Sequence, residues 1–115
     1  MRKVYYLSTC DTCKRIMNEL NLDGFVQQDI KTEPMTTAQV EEMRALSGSY
    51  ESLFSKVARK YRAMGLNERN LSEEEMKNYI VEEYTFLKRP VFIIDDQIFI
   101  GNSKKTVEAV KEVIG

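Results

Sequence analysis

Apolar and polar positions alternate along this chain with changing period, and the changes of period predict its elements. Residues 3–7 (Lys-Val-Tyr-Tyr-Leu) favour a short strand. Ile16, Met17, Leu20 and Leu22 recur at helical spacing and predict a helix to about residue 22, stopped by Asp23-Gly24. Residues 25–30 read as a second strand, so the first 30 residues form a βαβ unit with two parallel strands and a right-handed crossover. After a break at Lys31-Thr32-Glu33-Pro34, Thr36-Thr37-Ala38-Gln39 resembles a capping box. Val40, Met43 and Leu46 follow as a helical stripe ending near Gly48. A second stripe runs through Leu53, Phe54, Val57, Ala58, Tyr61 and Met64, closed by Gly65-Leu66. A third starts at Ser72-Glu73-Glu74-Glu75, with serine as cap and acids in the first turn, and continues through Met76, Ile80, Tyr84 and Leu87. Residues 36–87 thus predict about three helices and no strand. Residues 91–94 and 98–100 read as a hairpin around Asp95-Asp96-Gln97. Gly101-Asn102-Ser103 then turns into a last helix with Val107, Val110, Val113 and Ile114 on its inner face.

The elements assemble into an α/β chain with a four-stranded mixed sheet. The βαβ half (1–30) and the ββα half (88–115) follow the thioredoxin order, with an all-helical insert (31–87) between them. At 115 residues, without repeats or linkers, the chain is expected to be one domain.

Both cysteines, Cys10 and Cys13, lie two residues apart where the first strand meets the first helix. A Cys-x-x-Cys at such a junction points to thiol redox chemistry. Backbone N–H groups and the positive end of the helix dipole favour a thiolate on Cys10, the candidate nucleophile, with Cys13 one turn inside the helix as the candidate resolving thiol. Two plainer readings compete. A zinc site would need ligands from carboxylates or a second subunit, because the chain has no histidine and no second cysteine pair. Inert core thiols fit poorly with the polar neighbours Ser8, Thr9, Asp11, Thr12 and Lys14. Asp11, Thr12 and Lys14 are candidates for substrate binding or thiolate support, together with Pro90 at the start of the third strand.

Composition sharpens this picture. Seventeen basic and 18 acidic residues leave a net charge of −1, which gives no basic footprint for direct nucleic-acid binding. No apolar run approaches membrane length or a signal peptide, so a cytoplasmic protein without membrane contact is expected. In that reducing compartment a cysteine pair is catalytic or redox-sensing more often than structural.

The Cys10 loop, the helical middle, Leu87-Lys88-Arg89-Pro90 and the closing hairpin together resemble the ArsC/Spx family over essentially the whole chain. That family holds ArsC-type arsenate reductases, the redox-sensing regulator Spx and uncharacterised relatives. The resemblance implies that Cys10 is the nucleophile, and that Arg89 holds an oxyanion or steadies the thiolate as a planar fork of donors. It also implies a cis peptide at Arg89–Pro90 beside the cysteines. The departures matter as much. Two further arginines of the arsenate enzymes fall at Ser55, with Lys56 next to it and Arg59 a turn later, and at Gly101; Lys56, Lys104 or Lys105 could partly compensate as point charges rather than forks. The second cysteine resembles the Spx pattern instead.

Three functions follow from the resemblance. The leading expectation is a thiol–disulfide redox protein without a resident cofactor, served by an external thiol donor such as glutathione, glutaredoxin or thioredoxin. The alternatives are arsenate reduction, with a small oxyanion as substrate, and a Spx-like regulator that binds RNA polymerase. The basic residues Lys56, Arg59, Lys60 and Arg62 could form a docking surface, but a solvated helix face is the expectation.

Overall fold

A computed structural model of the chain describes residues 1–114. Its contacts divide the chain into two compact units, Met1–Glu33 with the chain from Arg89 on, and Pro34–Lys88.

The first unit is built on a four-stranded sheet. Its strands are β1 (Arg2–Tyr6), β2 (Val26–Asp29), β3 (Val91–Ile94) and β4 (Gln97–Ile100), in the order β2-β1-β3-β4. β1 and β2 are parallel, while β3 is antiparallel to both β1 and β4, so the sheet is mixed as expected. Two helices belong to it, α1 (Asp11–Glu19) and α5 (Lys104–Ile114). Val4, Phe92 and Ile94 from the sheet pack with Ile16 and Leu20 from the α1 segment and with Val107 and Val110 of α5. The hairpin turns at Asp95-Asp96, with Asp95 at φ 56°, a left-handed conformation that aspartate tolerates better than most residues. Gly101, at φ 97°, makes the turn into α5, and the Ser103 hydroxyl accepts the Thr106 N–H at 3.1 Å to cap that helix.

In the second unit, α2 (Thr37–Ser47), α3 (Arg59–Ala63) and α4 (Glu73–Glu82) surround buried Val40, Met43, Leu53, Phe54, Leu66, Met76, Ile80 and Phe86. Phe54 and Phe86 stack at 5.2 Å between ring centres. The capping box read at Thr36 is complete: Thr36 Oγ1 accepts the Gln39 N–H and Gln39 Oε1 accepts the Thr36 N–H, both at 3.1 Å. Ser72 and Glu75 repeat the arrangement on α4. Thr36→Ala is expected to lower the unfolding free energy by about 1 kcal/mol, read by urea denaturation. A change below about 0.3 kcal/mol would mean that the cap contributes nothing.

Four sequence expectations need correction. α1 ends at Glu19 rather than near residue 22, because Leu20 turns to extended backbone and the Asn21 side chain accepts the Asp23 N–H at 3.1 Å, a local bond that competes with the helix. The insert's second helix is only Arg59–Ala63. Residues 53–58 are not helical, because the Ser55 N–H donates to Phe86 O and Lys88 N–H to Leu53 O, closing an antiparallel bridge between Phe54 and Leu87. α4 stops before Tyr84 and Leu87. Glu83 is extended, its carboxylate accepts from the Thr85 N–H and hydroxyl, and a separate 3-10 turn covers Tyr84–Phe86. Finally, Val113 is 37% exposed, since at 100° per residue it lies 60° beyond the stripe formed by Val107, Val110 and Ile114. No helix among the described residues is long and apolar enough to cross a membrane.

Candidate functional site

The first unit places the cysteine pair at the end of β1. There the chain makes a turn through Leu7-Ser8-Thr9-Cys10, closed by the Cys10 N–H on Leu7 O at 3.0 Å. Cys10 is then the N-cap of α1, and its extended backbone (φ −97°, ψ 109°) turns the sulfur back over the first turn. Its sulfur accepts the Cys13 N–H at 3.5 Å, the bond that a serine or aspartate oxygen makes at an ordinary helix start. A thiolate there also faces the positive end of the helix dipole.

The two thiols are unlike. Cys10 is half-buried, while Cys13 is fully buried at 0% exposure, and neither is in a disulfide. Partial burial acts to raise the Cys10 pKa, but hydrogen bonds from the Cys13 backbone and side chain, and the Arg89 guanidinium, outweigh it and hold the thiol below its ordinary value. Burial pushes the Cys13 thiol up to about 11. A bond with the Leu7 backbone and the charge of Arg89 act the other way, while the neighbouring Cys10 adds to the rise. One cysteine is therefore prepared to ionise more readily than an ordinary thiol and the other to keep its proton.

Arg89 lies two residues before β3, and its guanidinium acts on the Cys10 sulfur to favour the thiolate. Pro90 is buried, follows it through a cis peptide, and accepts the Gly101 N–H on its carbonyl at 2.9 Å. The structure thus brings Cys10, Cys13 and Arg89 together. Asp11 and Lys14 are exposed on the first turns of α1 and Thr12 is half-buried; no hydrogen bond joins any of their side chains to Cys10. Ser55 is buried in the second unit, where Lys56 is exposed and paired with Glu51 at 3.3 Å and Arg59 is exposed. Gly101 has no side chain to offer, and Lys104 and Lys105 are exposed at the start of α5.

Two residues near the cysteines were not singled out by the sequence pattern. Leu7 bonds both cysteines through its backbone, which no side-chain motif reports. Asp29, the last residue of β2, accepts the Ser8 N–H at 3.3 Å. Its only sequence signal is an aspartate at a strand end, a common turn-former.

Removing the Arg89 charge has a defined consequence. Arg89→Ala is expected to move the ionisation of Cys10 upward and to slow its alkylation at pH 7 by about fivefold, the size of one charge-assisted hydrogen bond to a half-exposed group. The linkage has a definite sign. A depressed thiol pKa contributes stability at pH values above the unfolded-state pKa and loses it as pH falls through the folded one. The variant should therefore lose stability relative to the parent mainly at alkaline pH. Equal alkylation rates across the pH range would remove Arg89 from the site.

The model of the ArsC family matches residues 5–110. Among solved structures, a possible arsenate reductase from Streptococcus mutans is 26% identical at a TM-score of 0.75, covering 96% of this chain and 97% of that one. SACOL0876 from Staphylococcus aureus is 25% identical at a TM-score of 0.76, covering 95% and 97%. An arsenate reductase from Vibrio cholerae, 16% identical at a TM-score of 0.73 with 97% and 96% covered, shares the fold. No curated protein matches the chain. A thioredoxin-like mixed sheet with the helical insert, matched along nearly its whole length, leaves one assignment: the chain belongs to the ArsC family.

Proposed function

We propose that this chain is a thiol–disulfide redox protein in which Cys10 is the nucleophile and Cys13 the resolving thiol. The observation that carries this reading is the opposite displacement of the two thiols, Cys10 lowered and Cys13 raised, across a single N–H···S contact. A nucleophile has to be ionised before it meets its substrate, whereas a resolving thiol has to stay protonated until an intermediate exists.

In the first step the Cys10 thiolate attacks one sulfur of a substrate disulfide. A Cys10–substrate disulfide forms, the substrate S–S bond breaks, and the second substrate sulfur leaves as a thiolate. That thiolate, or water, takes the Cys13 proton. Cys13 then attacks the Cys10 sulfur, the internal disulfide forms, and the remaining substrate sulfur leaves. The substrate gains two electrons and the cysteine pair loses two, which an external thiol of the glutathione, glutaredoxin or thioredoxin kind restores. Arg89 and the α1 N-terminus favour the thiolate before attack and leave it more weakly held once the disulfide has formed.

The test uses reduced protein and oxidised glutathione. The expected result is loss of both protein thiols, a product lighter by two hydrogens, and two molecules of reduced glutathione released per chain. A stable glutathione adduct on Cys10 with Cys13 still free would overturn the resolving role.

Arsenate reduction is a second reading, favoured by the guanidinium beside Cys10 and by the possible arsenate reductase from Streptococcus mutans at 26% identity. There Cys10 would displace water from arsenic, and attack of a thiol on the Cys10 sulfur would release arsenite with the electron pair of the S–As bond. Ser55 and Gly101 weigh against it, since each lost charge-assisted donor removes roughly 1.5–3 kcal/mol from oxyanion binding. Turnover of arsenate with glutathione and glutaredoxin separates the two readings.

A further inference from the structure

The turn that delivers Cys10 is tied at its corner to a carboxylate from another strand. β1 and β2 run parallel and end level, with Tyr6 opposite Asp29, and Ile30 N–H donates to Tyr6 O at 2.9 Å. Asp29 therefore lies beside the first residues after β1. Its Oδ1 accepts the Ser8 N–H at 3.3 Å and the Lys31 N–H at 3.1 Å, the Thr32 hydroxyl donates to the Asp29 carbonyl at 3.4 Å, and the Ser8 and Thr32 side chains also favour the ionised carboxylate. Burial acts to raise the Asp29 pKa, but these bonds together outweigh it and hold the carboxyl below its usual range, so it is ionised whenever Cys10 is.

The bonds to Lys31 and Thr32 are local and close the end of β2, as an aspartate does at many strand ends. The bonds to Ser8 are different. They reach across to the loop that ends in the nucleophile, and they engage Ser8 through both its backbone and its side chain. Leu7 and Cys10 are the two ends of that turn, and Leu7 also bonds Cys13 through its backbone. Displacing Ser8 thus shifts the points from which both sulfurs are held.

We propose that Asp29 is a positioning residue for the cysteine pair, clamping Ser8 so that the 7–10 turn presents Cys10 as the cap of α1. It acts through the loop and touches neither sulfur. The proposal rests on the reading of Cys10 as an activated thiolate. Without the clamp the loop relaxes, the Cys13 N–H···S contact lengthens, and Cys10 loses part of what favours its ionised form. A longer contact of this kind loses energy steeply.

The experiment measures Cys10 alkylation by iodoacetamide across pH, together with urea denaturation, in the parent chain, Asp29→Ala, Asp29→Asn and Ser8→Ala. Asp29→Ala is expected to move the Cys10 ionisation midpoint upward and to slow alkylation at pH 7 about threefold to fivefold, the equivalent of one partly exposed hydrogen bond. Asp29→Asn keeps an acceptor oxygen and should recover most of the rate. Ser8→Ala, which retains the backbone N–H, should shift the midpoint in the same direction by less. If Asp29→Ala fails to fold, the other two variants decide. A loss of stability with the midpoint unmoved would overturn the proposal and leave Asp29 a purely structural residue. A downward midpoint would overturn it as well, showing that the carboxylate acts only as a nearby negative charge. A parent midpoint at the ordinary thiol value would instead sink the reading of Cys10 beneath it, so the two failures are distinguishable.

Discussion

On the proposed redox function, Cys13→Ser is expected to stop the reaction at its first intermediate. Cys10 keeps its backbone donor from residue 13 and its guanidinium neighbour, so attack on a disulfide proceeds. Release of the mixed disulfide then depends on an external thiol. A partner held one helical turn away has an effective concentration far above the millimolar level of such thiols, so steady-state turnover should fall by at least about a hundredfold. Mass spectrometry of the stalled variant should show the substrate half attached to Cys10. Cys10→Ser should show neither adduct nor turnover, since a serine hydroxyl in this setting stays protonated. Undiminished turnover by Cys13→Ser would mean that Cys10 works with an external thiol alone, and would move weight to the arsenate reading.

Phe92→Ala is expected to cost the largest share of stability of any single truncation in the first unit, about 3–5 kcal/mol. The side chain is fully buried in the middle of β3, between Val4 on β1 and Phe99 on β4, and Phe25 meets it edge-on at 6.4 Å. It packs in one cluster with Ile16 and Leu20 from the α1 segment and Val107 and Val110 of α5. Truncation therefore opens a cavity bordered by several elements, none of which can collapse into it without disturbing the sheet. Against a total of about 5–15 kcal/mol for an ordinary domain, this is enough to leave the variant marginal. Urea denaturation of Phe92→Ala beside Val113→Ala makes the comparison. The exposed Val113 should stay within about 0.5 kcal/mol of the parent. A Phe92→Ala loss under about 1 kcal/mol would contradict the packing described for β3.

The arrangement of the site helps explain why an ArsC-family chain can depart from the arsenate pattern. The Arg89 guanidinium bears on the Cys10 sulfur, and further support comes from the Cys13 backbone and side chain. A site held together this way suits a thiolate attacking sulfur, where little new negative charge has to be gathered. A tetrahedral oxyanion spreads charge over several oxygens and profits from more than one fork of donors.

How much of this was legible in the residues depends on the range of the interaction concerned. The four strands, the parallel βαβ start, the caps at Thr36, Ser72 and Ser103, and Cys10 at a helix N-terminus were all readable. Each is decided within a few residues, by apolar alternation or by a side chain reaching the N–H three positions on. The helix lengths were not. Residues 20–22, 53–58 and 84–87 all carry helical spacing, and Leu20, Leu53, Phe54 and Leu87 of those stripes are buried, whereas Val57 is 94% exposed. Their backbones are shaped by other partners: the Asn21 turn, the Phe54–Leu87 bridge and the Glu83 carboxylate. Periodicity reports most of the side chains that are buried and is silent on which backbone groups find partners elsewhere. The same limit governs the site. The cysteine spacing by itself pointed to Cys10 as the candidate nucleophile and Cys13 as the candidate resolving thiol, because the cap and the first helical turn are local. Only the tertiary structure decided that β3 carries the Arg89 charge to the Cys10 sulfur, that Cys13 loses all contact with water, and that Asp29 meets Ser8. Each of these depends on which strands lie side by side, and strand pairing is settled by the burial of the whole core rather than by any short run of residues.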